Sequence, residues 1–235
     1  MHSDKPGNAW RATIAACVAT SLVACSATQQ APVQTKGACA FLGSDCNRLT
    51  PGTSGQAALR YVNPNAQWTQ YSKVIIDPVT FWGTDQTQVS PPDQQMLTNY
   101  FYEALTKQLG KKFKVVDKAR PGTMRIQVAI SDVAGATPGL RTISTVVPQL
   151  HLLNTLKDAA TGTFAFAGGA QVEGKVTDAL TGQVLSEVVD RRLGGGSIEA
   201  AAQWDWGDAE NAMDAWAKQA ADWLSGLTSG TVSPS

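Results

Sequence analysis

The sequence predicts an α/β (α+β) domain: a mixed, mainly antiparallel sheet with helices packed on one face. Three observations predict it. Residues 124–131, Met-Arg-Ile-Gln-Val-Ala-Ile-Ser, alternate large apolar side chains with smaller or polar ones, the period of a half-buried strand. Residues 164–178 and 183–192 are extended runs joined through Asp178-Ala-Leu-Thr-Gly182, a hairpin with a five-residue connection. Residues 91–109 and 208–225 place apolar side chains at helical spacing.

The chain begins with a secretory pattern. Lys5 and Arg11 supply positive charge, and residues 12–24 form an apolar run too short to span a bilayer. The run ends in Leu22-Val23-Ala24-Cys25, the look of a lipoprotein cleavage site. Residues 1–24 are therefore expected to be a signal peptide, with Cys25 as the lipid-bearing first residue of the mature chain. A thiol is required because it takes the diacylglyceryl thioether, and small residues before it let the peptidase reach the backbone. Each buried methylene contributes roughly 0.8 kcal/mol, so several acyl chains, palmitate among them, anchor one residue stably. Ser26 follows; by resemblance to Gram-negative sorting, a residue other than Asp there favours the outer membrane, facing the periplasm.

Residues 25–38 are dominated by Ser, Ala, Thr, Gln and Pro and are expected to be a flexible tether. The periplasmic domain is expected over 39–228, with a disordered tail at 229–235. Cys39 and Cys46 are an even pair in an oxidising compartment, and a small disulfide loop is favoured over a metal site or two free thiols. The metal reading lacks ligands: His151 is the one histidine after Cys25. Residues 47–72 read as an extended segment wrapping the domain, with Trp68 and Tyr71 as packing anchors.

The folded body follows. Residues 74–79 read as a buried strand ending near Pro78. Ser90-Pro-Pro-Asp93 is a helix start: a Ser N-cap, Pro in the first turn, then an acid. Gly110 sits at the C-terminal cap of that helix, and 113–116 is the next strand. Between 133 and 162 the pattern breaks; 142–147 suit a strand and 148–160 a helix. Gly168, Gly169 and Gly174 suggest a bulge or a close backbone approach. In the last helix Asp208 is expected as N-cap and Gly226 as terminator.

Two motifs invite a binding role. Arg191 and Arg192 precede Gly194, Gly195 and Gly196, and two guanidiniums beside a glycine-rich turn suit an anion. The bland alternative is a loop with two solvated arginines. Trp204 and Trp206 would face the same way if extended, forming a partner surface or a clamp on the last helix.

Composition narrows the function classes. Formal net charge is zero and only 16% of residues are charged, so nothing attracts nucleic acid. G-x-S-x-G, H-E-x-x-H, C-x-x-C and P-loop patterns are absent, and no cofactor or catalytic residue is assigned.

The stretches beginning at Cys39 (Cys-Ala-Phe-Leu-Gly-Ser-Asp), Tyr71 (Tyr-Ser-Lys-Val-Ile-Ile-Asp-Pro-Val-Thr-Phe-Trp), Met124 (through Asp132) and Val176 (Val-Thr-Asp-Ala-Leu-Thr-Gly-Gln-Val-Leu) resemble bacterial lipoproteins of the domain-of-unknown-function 3313 family. The resemblance covers nearly all of the mature chain. It implies a lipid-anchored periplasmic α/β domain and brings no catalytic residues. More distantly, the order of elements looks like the periplasmic domain of curli-secretion lipoproteins.

The expectation is a non-enzymatic, lipid-anchored binding or scaffolding module of the cell envelope. Its partners would be the membrane through Cys25, an envelope protein, peptidoglycan or a second copy of itself. One alternative is a hydrolase of cell-wall or lipid substrates drawing on Asp77, Asp132, Glu173, Asp178, Asp190 and His151. Another is an oligomeric secretion-type assembly with 133–170 inserted in the membrane, for which its candidate strands are short.

Overall fold

The computed structural model describes residues 28–34, 39–83, 89–134, 168–194 and 206–234. Among them nine strands form one sheet. In chain order these are β1 (Gln29–Gln30), β2 (Thr50–Pro51), β3 (Leu59–Val62), β4 (Lys73–Ile76), β5 (Thr80–Phe81), β6 (Lys114–Val115), β7 (Thr123–Ala134), β8 (Gly169–Asp178) and β9 (Val184–Leu193). The order across the sheet is β2-β3-β9-β8-β7-β4-β6, with β1 added to β9 and β5 to β7. The long pairs β7–β8 and β8–β9 are antiparallel. β4 runs parallel to β6 and β7, because helix α1 (Pro91–Leu109) carries the chain back across the sheet between β4 and β6.

α1 starts where its sequence says it should. Ser90 is extended, and its hydroxyl accepts from the Asp93 N–H at 3.3 Å. Leu97, Phe101, Leu105 and Leu109 recur at helical spacing and are buried. Helix α2 (Gly207–Thr228) packs beside α1 on the same face of the sheet. The expected N-cap, Asp208, is instead inside the first turn: it is buried, and its carboxylate accepts from the Gly168 N–H at 2.9 Å. A tertiary donor has captured the acid that a cap would have used. Nor does Gly226 end the helix, which continues to Thr228 with Val232 folded over the glycine.

Met124, Ile126 and Ile130 of β7, Ala170 and Val172 of β8 and the helices' apolar stripes form the main core. A fully buried leucine such as Leu97 contributes roughly 1.5–3 kcal/mol, and truncating it to alanine would cost about 2–5 kcal/mol. Bulges fall between Ile130 and Asp132 and between Val176 and Thr177. The β8 glycines serve close approach instead: a Cβ on Gly169 would stand 2.5 Å from the Arg192 carbonyl oxygen, and one on Gly174 would stand 3.0 Å from Val188.

The sheet's second face is covered by the N-terminal segment. Residues 28–34 fall in the stretch expected to be a tether, and the structure corrects that expectation: β1 is paired with β9, and the Ala31 N–H donates to the Arg191 carbonyl at 2.9 Å. Farther on, the loop around Cys39 and Cys46 lies over β8 and β9. Ile75, Ala129, Val189 and Leu193 are buried outside the main core.

Candidate functional site

Strand alternation sends Gln171, Glu173 and Lys175 of β8 and Glu187 of β9 toward the N-terminal segment. All but Lys175 are fully buried, and burying a charge demands partners. The Glu173 carboxylate accepts from the backbone N–H groups of Phe41 and Leu42 at 3.1 and 2.9 Å. Glu187 receives the Arg48 guanidinium at 2.7 Å, and that guanidinium also lies over the Tyr61 ring. Lys175 sits 2.7 Å from Asp45 and 3.3 Å from Glu187. Its hydrogen bond holds the Asp45 carboxyl below the usual range.

Gln34 completes this face. Its backbone N–H donates to Gln171 at 2.7 Å. Its side-chain amide, oriented to suit its neighbours, donates to Asp132 at 3.2 Å and accepts from Arg191 at 2.9 Å. Burial pushes Asp132 up despite the nearby Arg191 charge, and burial lowers Arg191 despite Asp132. Most of these contacts tie the N-terminal segment down; Lys175–Glu187 joins β8 to β9.

On the helix side Asp190 is a second hub. It is 1% exposed. One carboxylate oxygen accepts from Gln30 Nε2 at 2.5 Å and the Ala58 N–H at 2.8 Å. The other accepts from the Trp216 indole at 2.7 Å and lies 3.3 Å from Arg192 Nε. Arg192 also donates to Thr28 Oγ1 at 3.2 Å and Gln219 Oε1 at 3.0 Å.

Beside this hub, between α1, α2 and the sheet, lies an apolar cavity of about 150 Å³. Val128, Val172, Val176 and Val188 line its sheet wall, and Phe101 and Trp216 face them. At its edge are Gln56, Arg60, Gln219 and Trp223, all half-buried.

The residues singled out in the sequence are dispersed. Cys39 and Cys46 are bridged, with Cα atoms 5.8 Å apart. Arg191 and Arg192 point to opposite faces of β9, each toward its own acid, so the two guanidiniums do not converge on one anion. The Gly194 N–H already donates to the Gly168 carbonyl at 2.8 Å, and the Asp208 carboxylate packs against this glycine. A loop anion would meet that negative charge. Gly195, Gly196, Trp204, His151 and Cys25 lie outside the described residues, as does most of 133–170. Trp206 is half-buried at the start of α2 and packs on the core.

The acids considered for hydrolysis do not gather. Asp77 pairs with Arg125 at 2.6 Å. Asp178 caps the hairpin turn through the N–H groups of Leu180 and Thr181. Of the acids considered, Asp190 alone borders the cavity, and both its oxygens are occupied. No group of three His, Cys, Asp or Glu suited to a metal occurs among the described residues, and no helix there is long and apolar enough to cross a membrane.

Sequence reasoning missed Glu187, Arg48, Asp45 and the cavity. One signal was available: charged residues in the interiors of the 164–178 and 183–192 runs, where a sheet covered on both faces must neutralise them.

Known proteins resemble this chain at two levels. The model of the family described as "Protein of unknown function (DUF3313)" matches residues 40–220. The uncharacterized lipoprotein YdcL of Escherichia coli K12 is 26% identical over 148 residues, 62% of this chain and 65% of the relative; its counterpart in E. coli O157:H7 matches equally. The chain thus spans just under two thirds of the length of these curated relatives. Two solved structures align more loosely. A PelC dodecamer from Paraburkholderia phytofirmans has a TM-score of 0.37 at 10% identity, over 68% of this chain and 95% of that one. XCC0632 of Xanthomonas campestris, a DUF330 protein, has a TM-score of 0.39 at 12% identity, over 73% and 96%.

Proposed function

The chain belongs to the DUF3313 family, and from that premise we propose that it is a lipid-anchored protein of the cell envelope whose domain binds or scaffolds rather than catalyses. One observation carries the reading: the segment nearest Cys25 is part of the domain. Thr28 already bonds to Arg192, and Gln29 and Gln30 pair with β9. Three residues span roughly 10 Å at most, so a lipidated Cys25 would hold this end of the sheet at the membrane surface.

The polar chemistry of the sheet supports the same reading. Its buried carboxylates hold the N-terminal segment, and none of those described is left beside a cleft with a second acid to share a substrate. The bridge between Cys39 and Cys46 suits an oxidising compartment. With Ser26 after the cysteine, the protein is assigned to the outer membrane, domain in the periplasm. Its partners are the membrane through Cys25, and an envelope protein, peptidoglycan or a second copy of the chain.

Fractionation of cells fed labelled palmitate tests the anchor. The wild-type chain should carry label and float with outer-membrane vesicles, whereas Cys25→Ala should carry none and leave that fraction. An unlabelled wild-type chain, or a Cys25→Ala chain still in the outer membrane, would sink the reading. Crosslinked capture from both strains then names the partner that depends on anchoring.

A further inference from the structure

Three features meet at the mouth of the apolar cavity. The first is incomplete packing. Val128, Val176 and Val188 point from central strands toward the helices, yet all three are only half-buried. A close-packed interior would cover them. The resulting cavity of about 150 Å³ matches the size of a dry apolar site that holds a benzene-sized solute, on the order of six carbons.

The second is a cation with no carboxylate partner among the described residues. Arg48, Arg125 and Arg192 each pair with a carboxylate. Arg60, at the cavity's edge, pairs with none among the described residues. Its guanidinium lies 6.0 Å from the centre of the Trp223 ring, and it donates to the Pro234 carbonyl at 3.4 Å. A half-buried guanidinium that lies over an indole and has no carboxylate partner among the described residues favours an anionic group.

The third is position. Gln30 of β1 donates to the Gln56 carbonyl at 2.8 Å, and Gln219 donates to the Gly55 carbonyl at 2.6 Å while accepting from Arg192. Arg192 in turn reaches Thr28. The edge of the cavity is therefore tied directly to the segment that leads from Cys25.

We infer that the cavity takes the end of one alkyl chain from an anionic membrane amphiphile. The chain lies along Val128, Val176 and Val188, and the negative headgroup sits against Arg60. This deepens the binding-module reading and rests on the anchor, which brings the mouth to the bilayer that supplies the ligand. Chain and head are read separately, by the valine wall and by the guanidinium.

The test uses the full-length lipidated protein in phosphatidylcholine nanodiscs that contain a trace of a fatty acid with a photoreactive diazirine near its chain end. After irradiation, labelled peptides are mapped by mass spectrometry. Insertion should concentrate in peptides carrying Val188 and Trp223. Ala220→Leu, which fills the cavity from α2, should lower it about tenfold. Arg60→Gln should lower labelling by the carboxylate probe and leave labelling by its uncharged alcohol analogue unchanged. Val188→Leu fills the same space from the sheet if Ala220→Leu unfolds. Label scattered over the surface, or equal labelling in both filled variants, overturns the site. Equal losses for acid and alcohol overturn the role of Arg60. In protein from cells fed the same diazirine fatty acid, a crosslink from one of Cys25's own acyl chains into the cavity overturns the choice of ligand. An anchored protein that takes no label refutes the cavity and leaves the anchor standing.

Discussion

Replacing Asp190 with asparagine changes almost nothing in shape and removes one charge. The wild-type carboxylate accepts three hydrogen bonds and stands beside Arg192, with 1% of the residue exposed. An asparagine that keeps its oxygen toward Gln30 and Ala58 turns its NH2 on the Trp216 indole N–H and the Arg192 guanidinium, donor against donor. The flipped amide faces the other two donors instead. Either way a buried donor loses its acceptor, at about 1–3 kcal/mol, and a buried ion pair is broken, for which about 3–5 kcal/mol is typical. These overlap, so the net expectation is a loss of about 4 kcal/mol. With a urea slope of about 2 kcal/mol per molar, the midpoint should fall by about 2 M. Tryptophan fluorescence in urea reads this directly. A double-mutant cycle with Trp216→Phe should recover about 1–2 kcal/mol, since the orphaned indole is then gone. A fall below about 0.5 M would show that Asp190 is not the hub the hydrogen bonds describe, and its candidacy as a catalytic acid would reopen.

Three further outcomes follow from the same geometry. Burial and a 3.0 Å hydrogen bond to Asp178 push the Tyr71 phenol up to about 12. An acid whose folded pKa is raised stabilises the fold fully below its unfolded value of about 10 and loses that contribution as pH rises toward 12; Tyr71→Phe should flatten the alkaline fall in thermal midpoint between these limits. Replacing Cys39 and Cys46 together by serine opens a loop between residues seven apart and should cost about 2.5 kcal/mol on the chain-entropy account, seen as a lower urea midpoint than that of the oxidised chain. Gly169→Val would place its Cβ 2.5 Å from the Arg192 carbonyl oxygen and 2.6 Å from Leu193, so a loss of about 1–3 kcal/mol is expected in the same assay; an unchanged midpoint would mean that β8 and β9 can separate there at little cost.

What the sequence determined by itself was short-range. The alternation in 124–131, the Ser90-Pro-Pro-Asp93 start and the Asp178–Gly182 turn each depend on residues within one or two turns of backbone, so α1, β7 and the β8–β9 hairpin were legible without neighbours. The expected lipidation at Cys25 likewise rests on a linear motif, Leu22-Val23-Ala24-Cys25, that is read without neighbours. Tertiary structure decided the rest. Glu173 finds its donors at Phe41 and Leu42, Glu187 at Arg48, and Asp190 at Gln30, Ala58 and Trp216, most of them more than 100 positions away. A buried charge must be satisfied wherever a donor happens to arrive, and no local period encodes that arrival. For the same reason Gln29 and Gln30 of the supposed tether pair with β9, Asp208 left its cap for Gly168, and Arg191 and Arg192 parted to opposite faces. The cavity is the extreme case. It exists because four sheet valines and two helices meet without filling the space between them, a property of packing that belongs to no single stretch of the chain.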